Sequence, residues 1–286
     1  DVYKRQVGCV WAWADDALIA DPASGHFVNL DKLSPVVHDG EFFKVQGVLN
    51  QPRSRQGHPV LLQAGGSLDG QALAAHHAEA VFASSQSFDE ALSYAKGLKR
   101  QAEALGRAPG SLKVFPGLGV FLGGTEAQAK QRHRELIELV PIEHSLRRLA
   151  GRLGVAPEQL DLDQPLPQNL PLPINGNGGH TFFHSILARS REHGYTLREL
   201  LLNQAGGAGH REIVGTPEQV ADDIEHWFRD GAADGFNLMP GLLPSGLQDF
   251  VDQVVPILQK RGIFRTEYQG TTLREHLGLP RPPAGH

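Results

Sequence analysis

Cysteine is nearly absent: Cys9 is the only one in 286 residues. That excludes an internal disulfide and any cysteine-clustered zinc site, and it suits a reducing, cytoplasmic setting. No run of about 18 uninterrupted apolar residues occurs, so there is no candidate membrane-spanning helix. The opening residues also lack the basic, apolar, small-residue order of a signal peptide. Positive charge is not in excess either. With 27 Lys and Arg against 32 Asp and Glu the net charge is −5, and neither a nucleic-acid backbone nor an anionic membrane is expected as a partner. Small molecules remain the default ligand.

Familiar catalytic signatures are missing too. There is no G-x-S-x-G elbow, no Ser-His-Asp order and no carboxylate pair of defined geometry. Histidines number 14, and His180 and His184 stand i, i+4, but Phe182 and Phe183 lie between them and the Glu of HExxH is absent. That helix reads as the lining of a pocket or a subunit contact, and no metal is expected. Adjacent His76 and His77 point apart on a helix and are no ligand pair.

What is present is an alternation of short apolar strands and helices. HPVLLQAGG (58–66) reads as a strand ending in glycines, and SLDGQALAAHHA (67–78) as a helix capped by Ser67. AEAVFAS (79–85) is a second strand. It leads into an amphipathic helix over 87–106, with Ser87 as cap and Gly106 as stop. LKVFPGLGVFL (112–122) is a third strand. GFNLMP (235–240) is a fourth, after the helix 216–231, in which Thr216 and Gln219 form a capping box and Pro217 takes the first turn. A further helix covers 247–262. Between residues 125 and 212 the alternation stops: helices at 125–139, 143–153, 180–193 and 196–204 flank a proline-rich stretch, which reads as an insertion. Residues 21–50 read as a loop and hairpin, and 263–286 as an ordered arm. Trp11, Trp13, Asp15 and Asp16 read as a helix end packed on the main body.

Strands alternating with helices imply a parallel sheet covered by helices. Four such units are half of a (β/α)₈ TIM barrel, which takes about 250 residues and eight strands; an open flavodoxin-like sheet is the other geometry allowed. The chain begins with Asp, and DVYKRQ leads into no regular pattern, so the sequence predicts an N-terminally truncated barrel.

The strongest local signal is QAGGSLDG (63–70). Gly65 and Gly66 let a ligand approach the backbone, and Ser67 opens a helix whose amide donors suit a phosphate; the plain alternative is a structural cap. No lysine follows, so it is not a Walker loop. GLGVFLGG (117–124) lies within a strand rather than opening a helix and is discounted as a dinucleotide fingerprint. His210 and Arg211 precede a helix where barrel loops converge and could hold an anion, or serve as ordinary loop chemistry.

Four long runs then carry a resemblance: VWAWADDALIADPASGHF (10–27), HDGEFFKVQGVLNQPRSRQGHPVLLQAGGSLDG (38–70), GHREIVGTPEQVADDIEHWFRDGAADGFNLMP (209–240) and RGIFRTEYQGTTLREHLGLPRP (261–282). Together they resemble the nitrilotriacetate monooxygenase component A family, flavin-dependent monooxygenases of the bacterial luciferase-like superfamily. The resemblance implies an α/β TIM barrel with a helical insertion, forming a single incomplete barrel domain over 1–286. It implies FMN at the carboxyl ends of the strands, used as FMNH2 supplied by a separate NAD(P)H:flavin oxidoreductase, with O2 oxidising a small C–N or C–S compound such as an aminopolycarboxylate or sulfone. In the family pattern AGxSxxG, Ser67 holds the FMN phosphate, and Ala64, Gly65 and Gly66 form its backbone cradle. The family's ring-facing residues fall upstream of residue 1, so no catalytic residue is named, and the chain by itself is expected to bind FMN poorly. The insertion 125–212, with NGNGGH at 175–180, is a candidate lid or an oligomer contact, and a homodimer or homotetramer is implied. Three alternatives stay open: a deazaflavin-dependent oxidoreductase, a non-catalytic flavin or small-ligand binding barrel, and a phosphate-dependent lyase or isomerase, for which Lys44 and Lys113 are poorly placed.

Overall fold

The computed structural model describes residues 12–167, 170, 190, 194–205 and 210–283. The chain divides into two compact units, Asp1–Leu61 with Glu267–His286, and Leu62–Thr266.

The first unit is built on turns. The Asp21 carboxylate accepts from the Ala23 and Ser24 amides at 3.0 and 3.3 Å, bending DPASG so that β1 (Leu18–Asp21) folds antiparallel onto β2 (His26–Val28). A second hairpin follows, β3 (Val36–Asp39) with β4 (Lys44–Gly47), in register from Val36 opposite Gly47 to Asp39 opposite Lys44. The single hairpin expected over 21–50 is therefore two, because DPASG and HDG each close a turn of their own. Trp13 is buried with Ala12 and Ala17, and its indole N–H donates to the Leu49 carbonyl at 2.6 Å. Trp13 and Asp15 do not end a helix. Trp13 bridges to Leu33, and Asp15 lies in a turn where its carboxylate accepts from Arg53 (2.8 Å) and from Arg281 (2.5 and 2.6 Å). In the C-terminal segment a one-turn helix, Leu273–His276, is held by a capping box between Thr272 and Glu275.

The second unit carries the βα alternation. Its elements are β5 (Leu62–Ala64), α1 (Leu68–His77), β6 (Ala80–Ala83), α2 (Phe88–Ala104), β7 (Lys113–Leu122), α3 (Glu126–Glu138), α4 (Ile142–Leu153), α5 (Leu197–Ala205), β8 (Arg211–Gly215), α6 (Pro217–Arg229) and β9 (Asn237–Pro240). A last helix begins as α7 (Ser245–Asp249), passes through a π-helical turn (Phe250–Val254) and continues as α8 (Val255–Lys260). Glycine stops where they were expected: Gly106 takes φ +82° after α2.

All pairings in the sheet are parallel. β5 pairs β6, and β6 pairs the first half of β7, with Ala64, Phe82 and Phe115 in one row. The second half of β7 is paired on both edges, Leu118 meeting Arg211 of β8 and Leu238 of β9. The Asp234 amide and the Asn237 side chain bond the carbonyls of Val114 and Phe115. The segment entering β9 therefore occupies one edge of β7 along its length, and β8 continues the line of β6 on the other. REIVG, read in sequence as loop, is thus a fifth strand. It is short and only half-buried, so it lacks the apolar run that marks β6 and β7.

Side-chain alternation assigns the two faces. Val81 and Val114 pack with Ala74, Ala75 and Leu98 of α1 and α2, and Leu118, Val120 and Leu122 pack with Val220 and Ile224 of α6 and with Phe250 and Val254. The opposite face presents Phe82, Phe115, Gly117, Gly119 and Phe121, and α3 lies against its far end, where His133 meets Phe121 edge-on at 4.5 Å. A separate apolar cluster, Leu146, Leu149, Leu153, Leu197 and Leu200, joins α4 to α5.

Candidate functional site

In a parallel sheet every strand ends at the same side, and ligands gather there. At the end of β5 the chain turns through Gly65 and Gly66 into α1. Ser67, in extended backbone, accepts the Gly70 amide on its hydroxyl at 3.1 Å, and Gln71 Nε2 donates to the Gly66 carbonyl at 2.9 Å. The turn is tight. A Cβ on Gly70 would lie 3.0 Å from the Gly65 carbonyl oxygen and 3.1 Å from Ser67 Oγ. Ser67 is exposed, and a hydroxyl that accepts as a cap still has its own proton to donate. Ala64, Gly65, Gly66 and Ser67 therefore stand together at one helix N-terminus, where the peptide dipoles favour an anion.

Next along the sheet, Phe82 stacks on His210 with ring centroids 4.8 Å apart and planes 15° from parallel. His210 fits there because β7 carries glycine opposite it: a Cβ on Gly117 would lie 2.5 Å from His210 Nδ1 and 3.0 Å from Phe82. Nδ1 is buried and meets no hydrogen-bond partner among the described residues, and burial holds the imidazole below its ordinary pKa. Gly119 makes the same allowance for Glu212, whose Cγ would lie 2.9 Å from an added Cβ. Glu212 Oε2 bonds His133 Nε2 at 2.9 Å, while Oε1 is buried without a partner among the described residues. The glycines of GLGVF are thus strand residues that make room for polar side chains from the neighbouring strand, and spacing alone could not show this without β8.

Arg211, paired in sequence with His210 as an anion holder, is committed elsewhere. Its guanidinium forms two bonds to Asp223, at 2.9 and 2.7 Å, and lies 3.9 Å over the Trp227 ring on the helix-covered face. A cavity of about 450 Å³ lies beyond the ends of β7 and β9, walled by Phe121, Leu136, Leu139 and Leu242, with Arg132 and Asp249 at its rim. No group of three His, Cys, Asp or Glu side chains converges among the described residues; His180 and His184, Cys9, Trp11 and the NGNGGH segment lie outside them.

Residues 29–234 match the family described as luciferase-like monooxygenase. The chain belongs to that family. It is 43% identical over 269 residues to nitrilotriacetate monooxygenase component A of Aminobacter aminovorans, covering 94% of this chain and 59% of the relative. The crystal structure of DmoA from Hyphomicrobium sulfonivorans superposes with a TM-score of 0.81 at 32% identity, over 96% of this chain and 57% of that one. Riboflavin lyase (RcaE), solved with modified FMN and riboflavin, gives 0.79 at 30% identity, over 98% and 61%. The family places the sheet in a TIM-barrel-type α/β fold, and the chain spans about three fifths of the length of these relatives. Among the described residues no helix is long and apolar enough to cross a membrane.

The residues present fit a flavin mononucleotide at its phosphate end. Gly70 leaves little room for a side chain beside the Gly65 carbonyl and Ser67 Oγ, and the serine hydroxyl and helix amides supply donors.

Proposed function

We propose that this chain is the flavin-binding part of a two-component monooxygenase, working in the cytoplasm. FMNH2 would come from a separate NAD(P)H:flavin oxidoreductase, and O2 would oxidise a small organic C–N or C–S compound. The observation that carries the reading is the Ser67 turn, standing at the carboxyl ends of a parallel sheet in a chain so similar to a monooxygenase component. Ser67 would donate to a phosphate oxygen, and the amides at the start of α1 would add charge-assisted bonds. Bound reduced flavin supplies the oxygen-activating chemistry, and the protein's share is to position it, exclude water and select the substrate. The insertion 125–212, whose first helix α3 lies against the ligand-facing side of β7, would help to cover the site.

The test is turnover of an aminopolycarboxylate, a sulfone and a thioether with FMN, NADH, a flavin reductase and O2. Oxidation of one of them that requires every component is expected. FMN binding with no oxygen-dependent loss of any substrate would instead leave a non-catalytic flavin-binding barrel.

A further inference from the structure

The register of the sheet places a second group beside the Ser67 turn. Ala64, Phe82 and Phe115 form one row across β5, β6 and β7. Two residues further on, the β5 line has reached Gly66 and β7 has reached Gly117. There the neighbouring position beyond β6 is taken by His210, since Leu118 pairs Arg211. His210 is thus linked to the glycine turn through one shared neighbour: Ala64 pairs Phe82, and the His210 ring stacks on Phe82. Its ring is fixed from two sides, by the Phe82 stack and by the Gly117 backbone. The residue is only partly buried although Nδ1 is fully so, and of its two ring nitrogens only Nδ1 is sealed from solvent without a partner.

Resting on the flavin reading above, we infer that His210 is a flavin-binding residue. It donates from Nε2–H to an oxygen of the ribityl chain or ring, the part of the ligand that follows the phosphate. Three observations lead there. Protonating both nitrogens would bury an N–H at Nδ1 with no acceptor, a costly arrangement, and burial already lowers the imidazole's pKa. The neutral ring is therefore favoured, with its proton on the accessible nitrogen. The slot that seats it exists only because β7 carries glycine at 117. Finally, the ring needs no other partner: no bond of His210 to a described residue competes for Nε2.

Equilibrium titration of FMN and of riboflavin, followed by flavin fluorescence, separates this from the phosphate site, because riboflavin has no phosphate. His210→Gln and His210→Phe are measured beside the wild type and Ser67→Ala, with far-ultraviolet circular dichroism confirming that each is folded. The expected result is that both His210 variants weaken FMN and riboflavin by the same factor, about tenfold, the worth of one hydrogen bond. Ser67→Ala should weaken FMN alone. His210 variants that bind both flavins as the wild type does, or lose FMN only, overturn the inference and leave the Ser67 reading standing. Retention of binding by His210→Phe alone also overturns it, since packing on Phe82 would then suffice. A wild type that binds FMN no more tightly than riboflavin overturns the Ser67 reading and leaves this one standing.

Discussion

Arg274 donates from Nε to the His58 carbonyl at 3.0 Å and from Nη2 to His58 Nδ1 at 2.9 Å, joining segments 216 residues apart. With 1% of its surface exposed it is among the largest fully buried side chains, and its remaining donors reach the carbonyls of Pro280 and Pro59 at 3.1 and 3.3 Å. Replacing it by methionine would leave several buried carbonyls without a donor, each costing about 1–3 kcal/mol. Lysine cannot reproduce the planar fork. Urea unfolding of Arg274→Met and Arg274→Lys should show both destabilised by about 3 kcal/mol or more; a loss under 1 kcal/mol for either would mean the fork is dispensable.

Ser67 has two tasks, capping α1 and offering a donor to phosphate, and they can be separated. Aspartate caps as well as serine does but places a negative charge where the phosphate should sit. Ser67→Asp should therefore unfold near the wild-type midpoint, whereas Ser67→Ala loses about 1 kcal/mol. FMN affinity should fall further in Ser67→Asp than in Ser67→Ala, with riboflavin affinity nearly unchanged in both. Equal FMN affinities in the two variants would remove the phosphate from this turn.

Glycine substitutions in and after β7 should rank by what the new methyl meets. At Gly123 it would lie 2.4 Å from the Ala129 backbone nitrogen, which cannot move without shifting α3, and at Gly119 its one close contact would be Glu212 Cγ at 2.9 Å, with backbone atoms no nearer than 3.6 Å. Thermal unfolding should order the alanine variants with Gly123→Ala lowest and Gly119→Ala highest. The former should cost at least the 1–3 kcal/mol typical of overpacking. Gly117→Ala, pressing on two rings, should fall between them and should also weaken flavin binding.

His210 and a set of carboxylates, Asp15 among them, give the expected acid response. His210 has a lowered pKa through burial, so below about 6.5 the unfolded chain takes up a proton that the folded one resists, and stability falls as pH drops through that range. Asp15 has a lowered pKa chiefly through its bond to Arg281, with help from Arg53. Its contribution is complete above the ordinary carboxylate value and is lost only as pH falls below it. Unfolding midpoints from pH 8 to 3 should decline in two stages. His210→Gln should flatten the first stage, and Asp15→Asn should reduce the second, which Asp15 shares with the other lowered carboxylates; parallel curves for wild type and His210→Gln would contradict the first assignment.

The sequence made some of this legible for identifiable reasons. Ser67, Ser87 and Thr216 could be read as caps because a helix start is a local event, decided within four residues. β6 and β7 could be read because they are buried on both faces and so appear as apolar runs. β8 could not, since four of its five residues are only partly buried and its pairing partner lies some ninety residues back in the chain. His210 and Arg211 adjoin in sequence, but on a strand adjacent side chains point to opposite faces, and Asp223 claims the arginine. The insertion helices over 126–138 and 142–153 followed their periodicity. Nothing local could have shown that Arg274 is buried, because His58 and Pro59, which take most of its bonds, come from the other end of the chain.

The shared direction of the strands has an electrostatic consequence. Helices α1, α2, α3 and α6 begin at the carboxyl ends of successive strands, capped by Ser67, Ser87, Thr125 and Thr216, so four positive helix ends converge on one side of a sheet in a chain of net charge −5. Net repulsion and local attraction act on an incoming anion over different ranges. Far away it meets a negative body; within about a Debye length, roughly 8–10 Å at physiological salt, the converging dipoles dominate at that side alone. An anionic ligand is thereby sorted by orientation as it arrives, with its charged end turned toward the sheet before any side chain touches it.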